Sequence, residues 1–94
     1  MKTLQNFING KKVSATSDKV QDLINPSTGE VFAKAPVSNA SDVDKAMKSA
    51  ANAFEVWKES TPGERQKAIN KIADAIEVRS EELIGIESEN TGKP

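Results

Sequence analysis

The stretch Thr61-Pro62-Gly63-Glu64-Arg65-Gln66-Lys67-Ala68-Ile69-Asn70-Lys71-Ile72-Ala73-Asp74-Ala75-Ile76, running on to Arg79, decides how the chain reads. Thr61 can cap free N–H groups and Glu64 stands three residues on to reach back, the spacing of a capping box. Pro62 falls at the first helical position, where its missing N–H costs nothing. Behind that start, Ile69, Ile72, Ala73 and Ile76 recur at helical spacing and make one apolar face. Arg65, Lys67, Asn70, Lys71 and Asp74 occupy the other. An amphipathic helix follows, and the flanking sequence is expected to pack against it.

Upstream, residues 1–37 carry strand signals. Leu4 to Ile8 and Lys11 to Val13 flank Asn9-Gly10, a pair that tolerates the positive φ angles of a tight hairpin turn. Val20 to Ile24 reads as a second, half-buried strand, ended by the turn Asn25-Pro26-Ser27-Thr28-Gly29. Val31, Ala33, Ala35 and Val37 then alternate with Glu30, Phe32, Lys34 and Pro36, a third strand that Pro36 places at an edge or near its end. Residues 38–94 are helical in pattern. Ser41 and Asp44 have cap spacing, and Val43, Ala46, Met47, Ala50, Phe54 and Trp57 form a face behind them. Ser80 can cap a third helix with Glu81 and Glu82 in its first turn, and Thr91-Gly92-Lys93-Pro94 stops that helix after Asn90.

Bulk properties narrow the class. Ninety-four residues make one small domain or a piece of a larger one. A chain so short buries only about 60–65% of its extended surface, and 36% apolar content with one Trp and no Tyr is thin core material. Thirteen basic and fourteen acidic residues are interspersed, so no basic block points to nucleic acid. No run has the length of a membrane span or the form of a signal peptide, which leaves a cytoplasmic protein as the expectation.

The catalytic inventory is poor. Without His or Cys there is no Ser-His-Asp or Cys-His arrangement and no imidazole or thiolate metal site. Gly10-Lys11 and Gly92-Lys93 lack the surroundings of a phosphate loop. Glu81, Glu82, Glu87 and Glu89 could pair for acid-base work, but they read better as a solvated helix face. Trp57 could stack on a ligand, and reads better as closing its own helix's apolar face, while Met47 sits at core spacing. The residues alone give an α+β piece without catalytic apparatus.

The order of motifs, however, resembles the opening of an NAD(P)-dependent aldehyde dehydrogenase, with a leaning to the aminoaldehyde and betaine aldehyde branch. The motifs are Phe7-Ile8-Asn9-Gly10-Lys11, then Ile24-Asn25-Pro26-Ser27-Thr28-Gly29-Glu30-Val31, then Ala50-Ala51-Asn52-Ala53-Phe54 with Trp57. The run Arg65 to Ile76 and Glu87-Ser88-Glu89-Asn90-Thr91-Gly92-Lys93-Pro94 follow in register. The resemblance implies an α+β piece of an α/β enzyme: residues 1–94 as the N-terminal part of a Rossmann-like cofactor-binding domain, strands over 1–37 and helices over 38–94. The catalytic domain, with its nucleophilic Cys and general-base Glu, would lie beyond Pro94, so the segment alone should be inactive and bind no NAD or NADP. Its implied partners are the remainder of such a chain, homo-oligomeric in the family, and neither nucleic acid nor membrane. The family further implies a Na⁺ or K⁺ site using the Ile24 carbonyl and an acidic side chain at the position of Asn90. An amide oxygen there coordinates without charge, so affinity should fall, and Asn90 reads better as a helix C-cap. The rival expectation, from a different class, is a non-catalytic interaction module that kept this unit. A decayed gene product without a role is the third.

Overall fold

The computed structural model describes residues 2–94. Strands β1 (Lys2–Thr3), β2 (Asn6–Ile8), β3 (Lys11–Val13), β4 (Val20–Ile24) and β5 (Val31–Pro36) precede helices α1 (Ala40–Trp57), α2 (Pro62–Val78) and α3 (Ser80–Thr91). β2 and β3 form the expected antiparallel hairpin, with Asn9 at φ 54° and Gly10 at φ 75° as a tight two-residue turn requires. The other sheet has the order β1-β5-β4, β1 running parallel and β4 antiparallel to β5. β5 is therefore the middle strand, and Pro36 is its last residue rather than a mark of an edge.

The strand read from Leu4 to Ile8 is shortened to Asn6–Ile8, and the two-residue strand before it lies outside that reading. Lys2–Thr3 joins β5, Leu4 donates its N–H to the Lys34 carbonyl at 2.7 Å, and the chain then leaves for the hairpin. Asp22 and Lys34 face each other across β4 and β5 and pair at 3.3 Å.

The start of α1 lies two residues earlier than the Ser41–Asp44 spacing suggests. Asn39 is the N-cap, its Oδ1 accepting from the Asp42 N–H, while Asp42 Oδ2 accepts from the Asn39 N–H at 2.9 Å. Asp42 Oδ1 also accepts from the Thr16 N–H at 3.0 Å, and Thr16 Oγ1 bonds Asn39 Oδ1. That long-range contact selects Asn39 and Asp42 over the local alternative. Asp42 is 4% exposed, and the two N–H bonds hold its carboxyl below the ordinary aspartate value.

α2 begins at the expected residue but with one half of the expected capping box, since among the described residues no bond runs from the Thr61 N–H back to the Glu64 side chain. Thr61 Oγ1 accepts from the Glu64 N–H at 3.2 Å with Pro62 just inside. Replacing Thr61 by alanine should cost the helix about 0.5–2 kcal/mol, read as a lowered denaturation midpoint where the segment unfolds cooperatively. An unchanged midpoint would mean the helix is started by something else. Ser80 does not cap α3: Arg79, at φ −104° and ψ 20°, is both the last cap of α2 and the first of α3. No extended residue separates the two helices, so none can turn its side chain back as a cap. Arg79 instead grips Glu82 through Nε and NH2 at 2.8 and 2.7 Å.

The expectation that the chain packs around the Thr61–Arg79 helix fails. α2 has no buried residue; Ile69, Ile72 and Ile76 are 66%, 60% and 53% exposed. Ala15 and Ala33 are the buried apolar residues among those described, and no large side chain is fully buried. The backbone has a radius of gyration of 16.9 Å, against about 12 Å for a compact chain of this length. A slab of 48 × 34 × 16 Å lacks the shared core that packed layers normally enclose. Trp57 ends α1 nearly half exposed rather than sealing its face. No helix among the described residues is long and apolar enough to cross a membrane.

Candidate functional site

The two residues singled out for a cation, Ile24 and Asn90, belong to β4 and α3. Ile24 closes β4 at a register shift between Leu23 and Ile24. The turn after it is tightly self-bonded. Asn25 Oδ1 accepts from the Ser27 N–H at 2.9 Å, and the Asn25 carbonyl accepts from the Thr28 and Gly29 N–H groups at 3.3 and 2.8 Å. Asn25 N–H donates to the Glu30 carbonyl and closes the loop.

The end of α3 comes against this turn. Gly92 caps the helix at φ 78°, its N–H donating to the Ser88 carbonyl at 2.8 Å. A Cβ added at Gly92 would stand 2.9 Å from Pro26 Cγ and 3.5 Å from Ser27 Oγ, so helix end and turn touch through the glycine. Gly92, not Asn90, is the left-handed cap; Asn90 lies exposed within the last turn of α3. Thr91 Oγ1 donates to the Glu87 carbonyl, the Ser88 hydroxyl donates to the Lys93 carbonyl, and Lys93 Nζ pairs with Glu87 at 3.3 Å. The sequence names Ile24 and Asn90 through resemblance alone; the Gly92–Pro26 contact, which joins their two elements, has no signal in it.

The acidic cluster disperses over an exposed helix. Arg79 lowers the Glu82 pKa and Glu82 raises that of Arg79, each by a direct hydrogen bond and by charge. Glu87 is engaged by Lys93. Among the described residues no three His, Cys, Asp or Glu side chains gather as a metal cluster. At the other end of the helical region, Lys58 Nζ lies 5.9 Å from the Phe54 ring centroid and pairs with Glu55, while Arg65 donates to the Lys58 carbonyl. These contacts fix the corner between α1 and α2 and hold no reacting group.

Comparison with known proteins accounts for a fold with so little chemistry. The family model described as "Aldehyde dehydrogenase family" matches residues 12–94. The 2-aminomuconic semialdehyde dehydrogenase of Danio rerio is 44% identical over 90 residues, covering 96% of this chain and 18% of its own length. The crystal structure of an aldehyde dehydrogenase from Bartonella henselae superposes with a TM-score of 0.97 at 32% identity, over all of this chain and 20% of that one. An NAD-dependent aldehyde dehydrogenase from Sinorhizobium meliloti gives 0.91 at 39% identity, over 98% and 19%. The chain thus spans about a fifth of the length of these relatives. Its strands followed by three helices match an N-terminal piece of their α/β fold. With residues 12–94 matched by the family model, the chain belongs to the aldehyde dehydrogenase family.

Proposed function

We propose that this chain is the N-terminal part of the cofactor-binding domain of an aldehyde dehydrogenase, whose whole polypeptide oxidises an aldehyde to its carboxylic acid with NAD or NADP. The segment serves as scaffold: its apolar helix faces meet the rest of that polypeptide and its residues touch no reacting atom. The observation that carries this is the exposed face of α2, Ile69, Ile72 and Ile76, in a family member that spans a fifth of its relatives. With neither Cys nor His in the chain, no nucleophile for a thioester is available within it.

The test is a chimera in which this segment replaces the matching fifth of the Sinorhizobium meliloti enzyme. The chimera should reduce NAD with an aldehyde, while the 94-residue chain alone should show no turnover above background with either cofactor. Turnover by the short chain that survives repurification would overturn the proposal, as would a chimera that folds but never turns over.

The same proposal extends to a monovalent cation held by the Ile24 carbonyl and the Asn90 amide oxygen. The contact of Gly92 with Pro26 supports it by bringing the end of α3 against the turn that follows Ile24. Both donors are hard and neutral, a set suited to Na⁺ or K⁺ once oxygens from outside the segment complete it. Asn90→Asp should lower the K⁺ concentration that half-stabilises the chimera against heat. An unaltered K⁺ dependence would remove Asn90 from the site.

A further inference from the structure

We propose that Asn9, at the tip of the β2–β3 hairpin, is a site of spontaneous covalent modification, in which its side-chain amide is lost to attack by the Gly10 nitrogen. Asn9-Gly10 is the one place in the chain where glycine follows asparagine. Asparagine is a thermally labile residue, and a following glycine has no side chain to shield the attacking nitrogen. Asn9 and Gly10 are both exposed, and nothing stands within 4 Å of the place a Gly10 Cβ would take. Among the described residues neither the Asn9 amide nor the Gly10 N–H has a hydrogen-bond partner. Asn6, on the same hairpin, differs on each count: Phe7 follows it, it is half-buried, and its amide donates to Ser38 Oγ at 2.8 Å. The tip also moves easily. β2 and β3 form a sheet of their own through the pairs Asn6–Val13, Phe7–Lys12 and Ile8–Lys11, and a two-stranded hairpin is marginal by itself. The tie to Ser38 holds its base, which leaves the turn as the end that frays.

The reaction needs only solvent. The Gly10 nitrogen gives its proton to hydroxide and attacks Asn9 Cγ. A new C–N bond closes a five-membered succinimide, and the side-chain nitrogen leaves as ammonia with a proton from water. Water then opens the ring. Attack at Cγ restores the ordinary backbone with aspartate at position 9. Attack at the main-chain carbonyl gives isoaspartate, in which the backbone runs through Cβ and Cγ. That carbonyl stands beside the electron-withdrawing amide on Cα and is the more electrophilic, so isoaspartate is the larger product. Either product adds one negative charge. Isoaspartate also adds a backbone carbon to a two-residue turn whose length sets the Ile8–Lys11 register, so that pairing should be lost. Phe7 and Ile8, which line a cleft of about 210 Å³ with Val43 and Ala46 of α1, would shift with it.

The experiment holds the 94-residue chain at mildly alkaline pH, with and without urea, and follows the tryptic peptide of residues 3–11, which carries both Asn6 and Asn9. Electron-transfer fragmentation distinguishes aspartate from isoaspartate in it. Without urea Asn9 should be converted completely, mostly to isoaspartate, while Asn6 keeps its amide. Conversion should quicken as the pH rises, because the nucleophile is the deprotonated Gly10 nitrogen. Its rate should lie within about tenfold of that in urea, since a frayed hairpin end opens at close to no free-energy cost. Conversion in urea alone would show that the folded turn locks Asn9 and would overturn the site, as would loss at Asn9 no faster than at Asn6. Asn9→Asp separates the charge from the longer backbone. The variant should keep the cross-strand contact between Ile8 and Lys11 seen by NMR, and the converted chain should lose it. The same contact persisting in the converted chain would overturn the loss of register.

Discussion

Gly92→Ala should be the most damaging single-methyl change in the chain. Gly92 adopts φ 78°, where an L-residue pays about 1–2 kcal/mol for the approach of its Cβ to the following carbonyl. The new methyl would also stand 2.9 Å from Pro26 Cγ, an atom of a ring that cannot swing aside. Either the end of α3 or the Asn25–Gly29 turn must give way, so the loss should exceed the conformational cost alone. Gly85 supplies the control. It lies inside α3 with nothing within 4 Å of an added Cβ. There alanine should stabilise by roughly 0.5–1 kcal/mol, because it removes the entropy that glycine loses in a helix. Chemical unfolding of the chimera carrying each substitution checks both. Equal effects at Gly92 and Gly85 would mean that the contact of helix and turn does not hold.

Asp42→Ala should release the loop before β4 from the start of α1. The carboxylate accepts from the N–H groups of Thr16 and Asn39, and no neighbouring side chain replaces it. Orphaned N–H groups lose protection, so exchange at Thr16 and Asn39 should quicken by about tenfold or more. Asp42→Asn keeps one acceptor and should fall between the two. The same bonds depress the Asp42 pKa, so the charged form is the one the fold prefers. Their contribution is therefore full above the ordinary aspartate value and is lost as the pH falls through the lower folded one. Hydrogen exchange followed by NMR from neutral to acid pH reads both effects. Unchanged protection of Thr16 in Asp42→Ala would show that the loop is held elsewhere.

What could be read from the residues was local. Asn9-Gly10 specified a turn because only a few residues accept two positive φ angles in succession. Thr61, Pro62 and the isoleucine spacing specified α2 because caps and helical periodicity act within a few residues. β1 escaped notice because a strand of two residues has no period, and its pairing with β5 spans some thirty residues of chain. The cap of α1 was misplaced for a related reason: Asn39–Asp42 and Ser41–Asp44 have the same spacing, and Thr16 decides between them from 26 residues away. The central place given to α2 failed on a different ground. An apolar face states what a helix needs to bury; whether the covering partner is in the same chain is not written in it. Ile24 and Asn90 came from resemblance to a family, and the contact that brings their elements together depends on tertiary packing at Gly92.

On the proposed function, the exposed faces of α1 and α2 are a surface that the rest of an enzyme covers. Sedimentation of the 94-residue chain, with Trp57 fluorescence followed through a urea titration, tests this directly. Apolar patches left uncovered by so small a core should make the chain loosely packed or self-associating, with Trp57 emission already that of a wetted indole and a shallow transition. A compact monomer with a buried Trp57 and one steep cooperative transition would contradict the account and favour a self-sufficient interaction module.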